Sequence, residues 1–272
     1  MSDLGHEVDV ALAAAREAAA MILRVYAAPF EVQYKAKDDP VTVADRESNT
    51  FLCARLAAAF PGMPIVAEES DPRSYAGFET AEAVWFVDPL DGTREFVARN
   101  GEFAVMIGLA RHGRAQMGVI VAPAWGRAFV GVVGRGAWEI AEDGTRTPIH
   151  VSTQDSVAGA TILVSRSRTP PQLAALVTTI GASRAVIHGS SGLKAVLVAI
   201  GQNDVFFQRA PAGMRWDACA SEALVVAAGG ACTDLDGAPF DYANPDILNS
   251  RGLVASNGHL QAAMLAALNA RR

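Results

Sequence analysis

The sequence predicts a mixed α+β / α/β protein, with an antiparallel-sheet N-terminal part and an α/β C-terminal part. Three observations carry this. The chain has 272 residues, 51% hydrophobic and 19% charged, enough apolar material for one large or two modest cores and too little charge for a disordered chain. Between residues 84 and 140, short apolar or alternating runs are separated by turn signals such as His112-Gly113, Pro123-Ala124-Trp125-Gly126 and Gly134-Arg135-Gly136, the spacing of an antiparallel meander. After His150, strand-like and helix-like stretches alternate, the rhythm of an α/β unit. A boundary is expected at 148–155, between an N-terminal domain over 1–150 and a C-terminal domain over 151–272.

The first element expected is a helix over 8–26, with Leu12, Ala15, Ala19, Ile22 and Leu23 on one face. Arg16, Glu17 and Arg24 interrupt it, and no basic leader precedes it, so neither a signal peptide nor a membrane span is expected. A second helix over 46–60 carries Phe51, Leu52 and Leu56 and stops at Pro61-Gly62. Residues 64–67 form a short strand running into Glu68-Glu69. Further strands are expected at 84–87, 105–111, 116–122, 127–133 and 137–140. In the second half, strands at 161–165, 184–187, 204–208 and 252–256 alternate with helices at 171–180, 191–200, 216–228 and 259–269.

A formal net charge of −6 disfavours a protein that coats nucleic acid. Neither a nucleic-acid polymer nor a membrane is therefore expected as a partner. Cys53, Cys219 and Cys232 show no CxxC spacing, which argues against a disulfide framework or a zinc knuckle and for a reducing cytoplasm. His6, His112, His150, His188 and His259 are scattered, without the paired spacing of zinc or iron sites.

The most informative segment is Trp85-Phe86-Val87-Asp88-Pro89-Leu90-Asp91-Gly92-Thr93. A buried strand is expected to run straight into a loop with two carboxylates, where Pro89 fixes the backbone and Gly92 permits a sharp turn. Two carboxylates converging on a backbone carbonyl are hard oxygen ligands suited to Mg²⁺. Thr93 adds a hydroxyl, and Arg94-Glu95-Phe96 opens a helix whose N-terminus suits a phosphate. A bare Asp-Gly is usually a solvated turn; the nine-residue string in its strand context is not.

Asp88-Pro89-Leu90-Asp91-Gly92-Thr93 resembles the signature loop of the inositol monophosphatase-like phosphatases, and the resemblance covers nearly the whole chain. Val41-Thr42-Val43-Ala44-Asp45 resembles the upstream block ending in aspartate, and Ala67-Glu68-Glu69-Ser70 the block supplying a glutamate ligand. Arg215-Trp216-Asp217 resembles the downstream Trp-Asp block, and Ala228-Gly229-Gly230 the glycine pair after its helix. Taken singly, Asp45 reads as a helix N-cap, Glu68-Glu69 as a solvated strand end and Asp217 as an N-cap or first-turn residue. Together and in order they read as one site.

The resemblance implies a layered αβαβα sandwich of the sugar-phosphatase type and Mg²⁺-dependent phosphomonoester hydrolysis with two or three ions. Glu68, Asp88 and the main-chain carbonyl of Leu90 would hold one ion, and Asp88, Asp91 and Asp217 a second. Asp45 and Thr93 would position and deprotonate the attacking water, with Glu69 orienting another. Hydrolysis would be direct, without a phosphoenzyme. Gly92, Thr93 and Asp217 would also contact substrate. The N-terminal domain would carry the metal-binding loops and the C-terminal domain would complete the site.

Several segments resemble the bisphosphate nucleotidases of this superfamily. Thr93-Arg94-Glu95-Phe96 with Arg99-Asn100-Gly101-Glu102-Phe103 is similar to their loop, where inositol monophosphatases carry a Thr-Asn-Phe form. Trp216-Asp217-Ala218-Cys219-Ala220-Ser221-Glu222 resembles the nucleotidase pattern except at Ala218 and Ser221, and Leu248-Asn249-Ser250-Arg251-Gly252 is also similar. In His188-Gly189-Ser190-Ser191-Gly192-Leu193-Lys194, Ser190 and Ser191 would approach the nucleotide. Lys194 is either a solvated helix lysine or the cation for the non-scissile 5′-phosphate. Arg168 would approach the same phosphate, at a position where the family often has His. The implied substrate is a phosphorylated nucleotide, 3′-phosphoadenosine 5′-phosphate, giving AMP and phosphate in sulfur metabolism; inositol 1-phosphate is the alternative. The chain would act as a monomer or homodimer.

Overall fold

The computed structural model of the protein describes residues 4–36, 39–166 and 169–270. Its first helix, α1 (Gly5–Ala27), turns an alanine stripe inward: Val8, Ala11, Ala14, Ala15, Ala18, Ala19 and Ile22 are buried. Leu23, expected on that face, is instead 37% exposed. Small side chains let the helix lie close to its neighbours, and Leu23 falls beyond the edge of the narrow stripe they make. An antiparallel hairpin of β1 (Val32–Ala36) and β2 (Asp39–Thr42) follows, which the sequence pattern did not announce. Helix α2 (Val43–Ala59) starts three residues before its expected position. Thr42 is its cap: the Thr42 hydroxyl accepts the Ala44 N–H, and Asp45 Oδ2 accepts the Thr42 N–H at 2.7 Å.

Next come β3 (Ile65–Ala67), β4 (Ala83–Asp91), the short helix α3 (Thr93–Val97), β5 (Ala104–Arg111), β6 (Arg114–Ala122), β7 (Arg127–Val132), β8 (Gly136–Ile140) and β9 (Arg146–Ile149). The seven strands form one sheet in chain order, with β3 parallel to β4 and the remainder antiparallel. The meander expected from the turn signals is therefore present, extended by β9, an exposed edge strand carrying Pro148.

The second half contains β10 (Thr161–Val164), α4 (Pro170–Ile180), β11 (Arg184–Ile187), α5 (Ser191–Ala199), β12 (Val205–Gln208), α6 (Arg215–Ala227), β13 (Ala231–Thr233), β14 (Leu253–Ser256) and α7 (Gln261–Asn269). Its five strands run in the order β11-β10-β12-β14-β13, parallel among β11, β10 and β12 and antiparallel beyond. Helices α1 and α2 cover the outer face of the seven-stranded sheet, α5 and α6 fill the space between the sheets, and α4 and α7 cover the outer face of the five-stranded sheet. This is the αβαβα order. Among the described residues, no helix is long and apolar enough to cross a membrane.

One feature of the seven-stranded sheet places the site. Gly108, Gly118 and Gly131 stand opposite one another on β5, β6 and β7, and all three face α6. A Cβ at Gly118 would lie 2.3 Å from the Ala220 carbonyl oxygen, one at Gly108 2.6 Å from Cys219 Sγ, and one at Gly131 2.6 Å from Leu224 Cα. The missing side chains make a trough in which α6 lies backbone-close to the sheet. Asp217, in the first turn of α6, is thereby brought to the end of β4.

Candidate active site

The acidic motif is strand, not loop. β4 continues through Asp91, with Asp88 paired to Met106 and Asp91 to Ala104. In a regular strand, residues three apart point to opposite faces. Between these pairs β4 advances three residues and β5 two, so the extra residue of a bulge brings both carboxylates to one side. Pro89 sits in the bulge, where no ladder donor is needed, and its carbonyl accepts the Ser48 hydroxyl at 3.0 Å. The Leu90 N–H donates to Asp88 Oδ1 at 3.0 Å.

Asp88, Asp91 and Asp217 each offer a carboxylate oxygen, and these atoms lie within 4.8 Å of one another. Each is held separately. The Met214 N–H donates to Asp217 Oδ2 at 2.6 Å, so Asp217 is also the first-turn residue one reading made it. Asp91 is gripped by the start of α5: its oxygens accept the Ser191 N–H at 3.1 Å, the Gly192 N–H at 2.7 Å and the Ser190 hydroxyl. Glu68, just past β3, donates its N–H to the Val87 carbonyl at 3.1 Å, and its carboxyl meets that of Asp88.

Burial, and then the charges of Glu68, Asp91 and Asp217, push the Asp88 carboxyl well above the ordinary range. Asp217 is pushed up to about 8 by burial and then by Asp91 and Glu68. Burial also raises Glu68, with Lys35 pulling the other way. A buried set of hard oxygen donors whose charges repel is the donor chemistry that Mg²⁺ satisfies. The residues fit the ion.

Beside the cluster, the Thr93 hydroxyl donates to Asp45 Oδ1 at 2.8 Å and reaches the Leu90 carbonyl at 3.2 Å. The other oxygen of Asp45 takes the Thr42 N–H and hydroxyl, at 2.7 and 2.6 Å. The helix-cap reading and the site reading of Asp45 therefore hold together, one per oxygen. Burial raises the Asp45 carboxyl, against hydrogen bonds from Thr42 and Thr93. Glu69 pairs with Lys35 at 2.6 Å, and the same ammonium reaches Glu68 at 3.0 Å. Lys35 was absent from the sequence-based site because it arrives on the unannounced hairpin. The signal available was a pair of adjacent glutamates without a cation.

A cleft of about 220 Å³ opens beside the cluster, lined by Asp91, Gly92, Thr93, Ser190, Ser191 and Lys194. Gly92 turns the chain at φ 93°. Lys194 is not a solvated helix lysine: it is 4% exposed, with Nζ 4.9 Å from the Phe206 ring centroid and 3.4 Å from the His188 carbonyl. Burial pushes its pKa down to about 8, against the pull of Asp91, Glu95 and Asp217. Gln208 and Ser165 also line the cleft and were not foreseen. Arg168 lies outside the described residues.

A sequence profile described as the inositol monophosphatase family matches residues 3–272. The chain belongs to the inositol monophosphatase family. It is a phosphatase of that family, whose members generally use Mg²⁺. The 3′(2′),5′-bisphosphate nucleotidase CysQ of Escherichia coli K12 is 36% identical over 230 residues, covering 84% of this chain and 90% of the relative. Inositol monophosphatase 2 of Solanum lycopersicum is 31% identical over 271 residues, covering 96% and 97%. The crystal structure of CysQ from Bacteroides thetaiotaomicron superposes with a TM-score of 0.75 at 29% identity, covering 92% of this chain and 97% of that one.

In this member of the inositol monophosphatase family, the rim of the cleft carries a second ionic group. Arg166 donates to Glu95 at 3.0 Å and also to Glu102, and Asn100 donates to Glu95. Although burial works against its charge, Arg166 and the Gly189 N–H hold the Glu102 carboxyl below its usual range.

Proposed function

We propose that this phosphatase is a Mg²⁺-dependent 3′(2′),5′-bisphosphate nucleotidase that removes the 3′-phosphate of 3′-phosphoadenosine 5′-phosphate, releasing AMP and phosphate. The observation that carries the reading is Lys194: a buried cation in the same cleft as the acidic cluster and the Asp45–Thr93 pair. With a monophosphate substrate this cation has only the nearby carboxylates and the Phe206 ring as partners, whereas a bisphosphate also offers it the non-scissile group. The 36% identity to the E. coli nucleotidase supports the same choice.

Glu68, Asp88, the Leu90 carbonyl, Asp91 and Asp217 would hold the metal, which when bound supplies charge stabilisation on the phosphoryl oxygens and a more acidic water. The chain does the rest. The Thr93 proton is committed to Asp45, so the Thr93 oxygen presents lone pairs that orient the attacking water. Asp45 is the base at the far end of that pair. The Ser191 hydroxyl and Lys194 would seat the nucleotide; the Ser190 hydroxyl is already spent on Asp91 and the Leu193 N–H, and the space over Gly92 is taken by the Glu102 carbonyl.

The second reading, an inositol-1-phosphate monophosphatase, is favoured by the 31% identity to the tomato enzyme across nearly the whole chain. Phosphate release from the two substrates, measured side by side with Mg²⁺, separates them. The nucleotide is expected to lead by about a hundredfold or more in kcat/KM, about 2.7 kcal/mol of discrimination. A lead for inositol 1-phosphate overturns the nucleotidase reading and leaves the metal site standing. Lys194→Met should raise KM for the nucleotide by roughly tenfold or more and lower kcat/KM for inositol 1-phosphate by much less; an equal loss on both substrates would count against the bisphosphate reading.

A further inference from the structure

The stretch between α3 and β5 carries a carboxylate outside the metal cluster that is tied to it through two chains of contacts. Glu102 Oε2 accepts the Gly189 N–H at 2.7 Å and also the Arg166 guanidinium. The Glu102 N–H donates to Asn100 Oδ1 at 3.0 Å, fixing the loop that presents the carboxylate. The Glu102 carbonyl oxygen packs on Gly92, so that a Cβ there would come within 2.8 Å of it. Glu102 thus touches the acidic strand's turn directly and the start of α5 through Gly189.

Gly189 leads into Ser190, whose φ of 55° is left-handed. That conformation is strained for a non-glycine residue and persists only where the surroundings impose it. The surroundings do so from both sides. On the inner side the Ser190 hydroxyl donates to Asp91 and accepts the Leu193 N–H at 3.0 Å, and the next two N–H groups go to Asp91 at 3.1 and 2.7 Å. On the outer side, the carboxylate of Glu102 holds the Gly189 amide. Glu95 closes the space behind, since a Cβ on Gly189 would lie 2.3 Å from Glu95 Cγ.

We propose that Glu102 is a positioning residue: by gripping the Gly189 amide it keeps the Ser190 turn left-handed, and the turn in turn fixes Asp91 toward the metal. The proposal rests on the metal-phosphatase reading. It gives the Asn100-Gly101-Glu102 segment a role that substrate contact does not require.

The test is direct Mn²⁺ binding by electron paramagnetic resonance, with kcat and KM on the nucleotide, in the full chain and in three variants. Glu102→Ala is expected to weaken Mn²⁺ binding about tenfold or more, the usual cost of removing a support behind a metal ligand, and to lower kcat. Glu102→Gln keeps an oxygen for the Gly189 N–H while losing the ion pair to Arg166, and should stay within about threefold of the parent. Glu102→Asp keeps the charge but not the reach, and should behave like Glu102→Ala; it also decides the matter if the alanine variant does not fold. Unchanged Mn²⁺ affinity in Glu102→Ala or Glu102→Asp, even with a lower melting temperature, overturns the proposal, as does a glutamine variant as weak as the alanine one. A parent protein that binds no Mn²⁺ overturns the metal-phosphatase reading itself, and the proposal with it.

Discussion

Asp88 is where like charge converges most, with Glu68, Asp91 and Asp217 all acting on one buried carboxyl. A cation is needed to hold that set ionised, so Asp88→Asn removes a proposed metal ligand and a repulsion together. Activity should fall by about a thousandfold or more, about 4 kcal/mol of transition-state stabilisation. The melting temperature in chelator should stay level or rise. Near-parental turnover in a steady-state assay would take Asp88 out of the site. Asp45 offers a finer separation, because its oxygens have different duties. Thr93→Ala removes the Oδ1 contact and the approach to the Leu90 carbonyl but leaves the Oδ2 cap intact, and should cost about 10²–10⁴ in kcat with little change in the melting curve. Asp45→Asn also disturbs the cap on α2, and should cost about 1 kcal/mol of stability as well. Equal melting temperatures for the two variants would show that Oδ2 does not hold the helix.

At the scale of elements, the position of Asp217 depends on residues that have no side chain. Gly118 stands at the centre of the glycine row under α6, and a Cβ there would meet the Ala220 backbone rather than a movable side chain. Gly118→Ala should therefore cost about 1–3 kcal/mol or more by overpacking. It should also weaken metal binding, as α6 lifts Asp217 away from Asp88 and Asp91. Thermal melts and Mn²⁺ titration check the pair of effects; full stability with full affinity would show that α6 does not sit as close as the glycines allow. This row also marks where the sequence stops being legible. The blocks around Asp45, Glu68, Asp88 and Asp217 are local strings and could be read as they stand, as could the meander and the α/β alternation. A lone glycine in a strand acquires meaning only when the facing helix is known. The bulge between Asp88 and Asp91 is likewise set by its partner strand, so the segment read as a loop. The β1–β2 hairpin, β9 and β13 have three to five residues each, too few for a period to show, and Lys35 was hidden with the hairpin.

For the molecule as a whole, the site lies where the two sheets and the helices between them meet. Asp88 and Asp91 come from the seven-stranded sheet, Glu68 from the turn just past β3, Asp217 from α6, and the groups that grip Asp91 from the start of α5. Folding therefore assembles a buried negative cluster, and the protein's stability should report on it. Without metal, burial and then the charges of Asp91 and Glu68 push the Asp217 carboxyl in the folded chain up to about 8, against an ordinary value of 3.8. Between those values the folded state binds more protons than the unfolded state, so stability is full below about pH 4 and is lost as pH rises through about 8. Glu222, buried beside Tyr242 and pushed up to about 7 by burial, adds a loss in the same direction. It is not one of the proposed metal ligands, so Mg²⁺ should restore the part due to Asp217 and leave the part due to Glu222. At a free concentration a hundredfold above Kd, a bound ion stabilises by about 2.7 kcal/mol, equivalent to roughly 5–10 °C for a chain of this size. Thermal melts in chelator and in saturating Mg²⁺ should show that gain at pH 8 and a much smaller one at pH 5, where protons compete for the carboxylates. An equal gain at both pH values would mean that the ion binds somewhere other than the Asp88, Asp91 and Asp217 cluster.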